Sequence, residues 1–260
     1  MPAILEGVDA PSSRARPFLL GEVALVAFLL FGYDRVASTA NVDPDSAYRH
    51  GRQLLAVEQF FHLAIEQPVN HLIAGWRFFG QLLSVYYDFA HGIVTFTVLG
   101  LVYVFASEGY RRARTALFVL NGLGLVIFWL LPVAPPRLLP GGGFVDVVAN
   151  SGTWGAWETG GSSLSEHANH FASLPSLHVA YAVWVLRTVL VASGSKLLRT
   201  VAAVHAGVTV AIVVVTGNHY LIDVLAGAAL AEGAWWLAAI PLRVPWTGRR
   251  PAVLTGTSRR

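Results

Sequence analysis

His219 and Asp223 stand four residues apart in Gly217-Asn218-His219-Tyr220-Leu221-Ile222-Asp223. On a helix that spacing puts both side chains on one face, within reach of each other. A carboxylate on one imidazole nitrogen fixes the tautomer and leaves the other nitrogen free to attack. A second imidazole, His178 in Ser173-Leu174-Pro175-Ser176-Leu177-His178, can give a proton to a leaving oxygen. Arg137, closing the run Pro132-Val133-Ala134-Pro135-Pro136-Arg137, offers a planar fork that matches phosphate. Ser176, near a helix start, adds a hydroxyl and neighbouring backbone N–H groups for an anion. Nucleophile, acid, orienter and anion clamp are the parts of phosphoryl transfer through a covalent phosphohistidine. Tyr87, Asp88 and His91 form a further polar group inside an apolar segment. Ionisable residues there are costly and default to function. They are expected to line an acceptor or headgroup pocket.

The elements that must position these residues follow from composition. Apolar residues make up 55% of the 260, and charged residues only 13%, where soluble chains carry about 25%. There is no cysteine, which excludes disulfides and thiol chemistry. A bilayer-crossing helix needs about 20 mostly apolar residues. Six segments qualify: 18–36, 82–106, 113–132, 171–192, 199–216 and 219–240. The expected fold is therefore all-α, a polytopic membrane protein with six transmembrane helices plus interfacial helices.

Residues 1–16 read as a cytoplasmic N-terminal segment with no cleavable signal. Residues 17–241 read as the six-helix catalytic domain, and 242–260 as a cytoplasmic tail. Within the domain, 43–80 mixes charges with aromatics and suits helices lying at the interface. Residues 134–170, with Trp154 and Trp157, read as a long extracytoplasmic loop.

An even number of spans puts both termini on one side. Twelve Lys and Arg residues fall on that side, among them Arg111, Arg112, Arg114, Lys196 and Arg199, against five on the other. The bias makes the first side cytoplasmic. The ends of the third and fifth segments, and the starts of the fourth and sixth, then deliver Arg137, His178, His219 and Asp223 to the opposite, extracytoplasmic or lumenal, face.

Pro-Ser-Leu-His at 175–178 and His-Tyr-Leu-Ile-Asp at 219–223, followed by Val-Leu-Ala-Gly at 224–227, resemble two motifs of the type 2 phosphatidic acid phosphatase superfamily. Leu177, where the phosphatases usually have glycine, and Ala-Pro-Pro-Arg at 134–137 resemble the branch that includes fungal inositol phosphorylceramide synthase. The resemblance spans roughly residues 82–230. It implies a six-helix core, no metal, a histidine nucleophile at His219, a histidine acid at His178 and an orienting carboxylate at Asp223. Two cations of the superfamily pattern are absent: Leu130 stands seven before Arg137, and Val213 six before His219. Arg52 and Arg77 are candidates to replace them.

The expected substrate is a lipid phosphate ester, with water or a hydroxyl compound as acceptor and the bilayer as the medium. No cofactor, metal or nucleic-acid partner is expected, and the cluster Glu166, His167 and His170 reads as loop polarity. A headgroup transporter and a non-catalytic scaffold are the competing classes. A transporter would be expected to carry internal repeats, and none is evident.

Overall fold

The computed structural model describes residues 17–39, 43–151 and 170–240. The expected cytoplasmic segment 1–16, the tail 242–260, and Trp154, Trp157, Glu166 and His167 lie outside them.

Among the described residues the regular structure is helical. Helices α1 (Leu19–Thr39), α4 (Arg77–Phe105), α5 (Ser107–Leu130), α7 (Leu177–Ala192), α8 (Lys196–Val215) and α9 (Leu221–Leu237) occupy the six apolar segments. Helices α2 (Pro44–Phe60) and α3 (Glu66–Ala74) occupy the charged stretch between the first two, and a short α6 (Val147–Ser151) follows Arg137. Arg77–Phe105, Gly109–Leu130 and Lys196–Val215 are long and apolar enough to cross a membrane, and Leu177–Ala192 is a shorter apolar helix. Large apolar side chains such as Phe105, Trp129, Leu197, Leu225 and Trp236 stand on the outside of the molecule. That is the pattern a lipid solvent tolerates, and it is consistent with a membrane protein.

Helix α7 sits at the centre and packs against α4, α5, α8 and α9. Its buried residues, Val179, Ala180, Ala182, Trp184, Val185 and Thr188, occupy several faces, as an enclosed helix requires. Small residues let its neighbours approach, and Trp184 fills the space they leave while donating Nε1–H to the carbonyl of Ala113 at 2.8 Å. Tyr181 reaches Asn121 on α5 at 2.5 Å, so the apolar core carries paired polar groups. Helix α1 is peripheral and packs against α5. Glu22 ties it down by accepting from Tyr110 and pairing with Arg114.

Several helix ends differ from the expected ones. Helix α4 begins at Arg77, so residues 77–80, expected in the interfacial stretch, belong to its first turn. Helix α7 begins at Leu177 because Pro175 has no N–H to give and disfavours helical backbone before it. Phe171–Ser173 instead lies alongside Val133, just past the end of α5, with Val133 N donating to Phe171 O at 2.7 Å and Ser173 N to Val133 O at 3.3 Å. Helix α9 begins at Leu221, which leaves His219 outside it.

Candidate active site

His219 and Asp223 meet, though not as two residues of one helical face. Tyr220 is the N-cap of α9, with extended backbone, and Asp223 is the third helical residue. A carboxylate at that position reaches back to the cap, and Asp223 Oδ2 accepts from Tyr220 N at 3.0 Å. The same oxygen accepts from Ser173 Oγ at 2.5 Å and lies 3.4 Å from His219 Nδ1. Nδ1 also faces the carbonyl of Ser173 at 3.0 Å. Two acceptors around Nδ1 hold the imidazole proton there and leave the lone pair on Nε2. Nε2 is buried and has no hydrogen-bond partner among the described residues. The orienting group for His219 is thus shared between the Ser173 carbonyl and Asp223, itself 0% exposed.

His178 lies on the first turn of α7, its ring centroid 6.0 Å from that of His219. It stacks on Tyr87 at 4.0 Å and meets the edge of His91 at 4.4 Å. His178 Nε2 lies 3.2 Å from the carbonyl of Tyr87, and His91 Nδ1 lies 3.0 Å from the same oxygen. The expected acceptor-pocket residues Tyr87 and His91 therefore pack directly on one of the two candidate catalytic rings. Asp88 is half-buried beside them. The first turns of α7 and α9 are joined by Ser176 N donating to Asp223 O at 3.0 Å. Ser176 Oγ caps α7 by accepting from Val179 N at 3.4 Å, which leaves its O–H as a donor for an anion.

Arg137 belongs to the same end of the bundle. Its guanidinium side chain is 5% exposed, and it donates Nε–H to Asn218 Oδ1, on the residue before His219. Nη1 pairs with Asp146 at 3.3 Å, and the backbone N donates to Gly217 O at 2.9 Å. Gly217 has φ +71°, a left-handed bend that a side chain would strain. A Cβ there would also meet Asn70 Nδ2 at 3.3 Å and Arg137 Cβ at 3.5 Å. That bend turns the chain from α8 towards His219 while presenting its carbonyl to Arg137.

The positions of the two missing cations have different surroundings. Leu130 is 71% exposed, so the position seven before Arg137 faces outwards. Val213 is buried in an apolar cluster with Tyr87 and Val179. Arg52 and Arg77, the candidate replacements, are both exposed.

Sequence reasoning did not single out Ser173, Asn218 or Asp146, nor the buried pair Glu58 and Glu66. Ser173 is 46 residues from His219, and no linear spacing announces such a contact. Glu58 and Glu66 sit in a stretch whose charges suggest an exposed polar face, yet both are 0% exposed.

Fold and site together define a helical chain with membrane-length apolar helices and a two-histidine centre at the helix ends. A family model described as the PAP2 superfamily matches residues 52–237, and the chain belongs to that superfamily. The matched region takes in α3 to α9 and every site residue named above. Neither the curated proteins nor the solved structures gave a match. Membership supports a phosphatase- or phosphotransferase-type enzyme acting on a phosphate ester.

Proposed function

We propose that this chain is an integral membrane enzyme that moves a phosphorylated headgroup from a lipid donor to a hydroxyl acceptor through a phosphohistidine on His219. The observation that supports this best is the state of His219: Nδ1 sits between two acceptors, while Nε2 is buried and unpaired, 6.0 Å ring to ring from His178. Nε2 attacks phosphorus, forming an N–P bond as the P–O bond to the lipid alcohol breaks. Protonated His178 gives its proton to the departing oxygen. The acceptor hydroxyl then loses its proton to His178 as its oxygen attacks phosphorus. The N–P bond breaks, and the electron pair returns to His219. Arg137 stabilises the phosphoryl oxygens, and Asp223 with the Ser173 carbonyl stabilises the positive charge that builds on the ring. Tyr87, Asp88 and His91 line the acceptor side.

Headgroup transfer is favoured over hydrolysis of a monoester by the charge available. A phosphate monoester carries about two negative charges near neutral pH, and a diester carries one. Arg137 already shares its charge with Asp146, and the positions of the two missing cations hold an outward Leu130 and a buried Val213. A monoanionic diester suits that poorer field, as in an inositol phosphorylceramide synthase-like reaction.

In this enzyme α1, α4, α5, α7, α8 and α9 cross the bilayer. Both termini are cytoplasmic, and the site is at the extracytoplasmic or lumenal face. The excess of basic residues on one side supports this orientation. The test is incubation of purified protein with phosphodiester and phosphomonoester lipids, with and without hydroxyl acceptors, and mass spectrometry of the products. An acceptor-dependent phosphodiester that disappears in His219→Ala is expected. Release of phosphate from monoesters alone would make the enzyme a phosphatase. Lipid binding with neither product would make it a transporter.

A further inference from the structure

Two carboxyl groups behind the site are unused by this mechanism. Glu58, near the end of α2, and Glu66, at the start of α3, are fully buried. Each reaches the first turn of α9. Glu66 Oε1 accepts from Leu221 N at 2.9 Å, and Glu58 Oε1 accepts from Ile222 N at 2.7 Å. These are the first two N–H groups of the helix, which have no acceptor within it. The Tyr220 side chain at the N-cap points elsewhere, its hydroxyl donating to Ala134 O at 3.0 Å. Two other elements therefore cap α9 from outside.

The elbow between α2 and α3 sets the two acids side by side. His62 there has φ +56°, a left-handed conformation uncommon outside glycine. His62 N donates to Gln59 O at 3.1 Å and Leu63 N to Glu58 O at 2.8 Å, the bonding of a Schellman ending. Adjacent N–H groups thus receive adjacent carboxyls. The second oxygens, Oε2 of each, are buried and meet no donor among the described residues. Asp223 and Tyr220 face the pair from α9 and its cap. Like charges held side by side in one buried space repel, which favours a proton on Glu58. A proton on one of them supplies the missing donor and leaves a single negative charge at the helix N-terminus, where it is favourable.

We propose that Glu58 and Glu66 are positioning residues: sharing one proton, they clamp the first turn of α9 and so hold His219 and Asp223 in register. The proposal rests on the phosphohistidine reading for its catalytic consequence, but the shared proton does not. Burial above all, then the hydrogen bond to Glu66 and the charges of Glu66 and Asp223, push the Glu58 carboxyl up to about 8, against the lowering effect of the Ile222 N–H. The folded value lies above the usual 4.5. The stability this proton contributes is therefore complete below that value and lost as pH rises through about 8.

The experiment compares Glu58→Gln, Glu66→Gln, the double Gln variant and Glu58→Ala in the full chain. A single Gln keeps the shape of the protonated acid and donates its amide to the remaining carboxylate. Either one is expected to keep kcat within about threefold, while Glu58→Ala loses about tenfold or more with KM little changed. The double variant opposes two donors with no acceptor. It is expected to fall well below the product of the singles, a coupling that independent caps would not show. Thermal unfolding needs no substrate. Wild type is expected to lose stability relative to Glu58→Gln as pH rises from 4.5 to about 8, and its infrared spectrum to carry a protonated-carboxyl band that Glu58→Gln lacks. Additive single and double variants, or parallel stability curves without that band, would overturn the clamp. An inactive wild type that still shows the band and the pH difference would instead overturn the phosphohistidine reading.

Discussion

Ser173 shows how much a single residue can carry without being recognisable in advance. Its carbonyl faces His219 Nδ1, and its hydroxyl donates to the carboxylate that faces the same nitrogen. Removing the hydroxyl leaves Asp223 one donor short in a buried place, so the carboxylate is less firmly fixed. Ser173→Ala is expected to lower kcat roughly 10-fold with little change in KM, in the range typical of groups that orient a catalytic residue. Asp223→Asn is expected to cost more, on the order of 10²–10⁴ in kcat, because it removes the charge that balances the imidazolium. Both are read by steady-state kinetics on whichever donor the substrate panel identifies. Equal losses would mean that the Ser173 hydroxyl, and not the carboxylate charge, dominates.

The element that sets the geometry is the junction between the first turns of α7 and α9. Ser176 N donates to Asp223 O, and the backbone of Ser176 lies against Gly227. A Cβ at 227 would stand 2.3 Å from Ser176 O, a backbone atom already accepting from Ala180 N at 3.0 Å. A shift that relieved this clash is expected to move the first turn of α7, which carries His178, relative to the start of α9, beside His219. Gly227→Ala is expected to destabilise the protein by about 1–3 kcal/mol, as overpacking does. Its thermal midpoint should fall, and its kcat should fall further than that loss of folded protein explains. An unchanged kcat per folded molecule would detach the junction from catalysis. The i, i+4 spacing of His219 and Asp223 was legible in the sequence, but for a different reason from the one that operates. The pair forms because Asp223 caps backward onto an extended Tyr220, and the helix begins only at Leu221.

At the scale of the molecule, the proposed orientation makes a direct prediction, and the absence of native cysteine makes it clean to test. Gly194, between α7 and α8, is exposed, and a Cβ there meets nothing within 4 Å. Ala149, on α6, is exposed on the loop that follows Arg137. In intact cells, Ala149→Cys is expected to react with a membrane-impermeant thiol reagent, and Gly194→Cys only after permeabilisation. The reverse pattern would invert the protein and put the site in the cytoplasm. Equal labelling of both would end the multi-pass reading.

The sequence alone settled what can be settled by local pattern. Hydropathy over tens of residues located the helical segments, because burying a backbone in an apolar medium leaves the chain few other ways to satisfy its N–H and C=O groups. Short motifs singled out His178, His219, Asp223 and Arg137, polar residues at the ends of apolar segments. Tertiary structure decided the rest. It brought Ser173 to Asp223 across 50 residues and Glu58 to Ile222 across 164. It turned Leu130 outwards and buried two glutamates that a linear reading leaves at the surface. Such contacts depend on which faces of distant helices meet, and that is fixed by the packing of small residues such as Gly51 and Gly227 against backbone, not by any spacing along the chain.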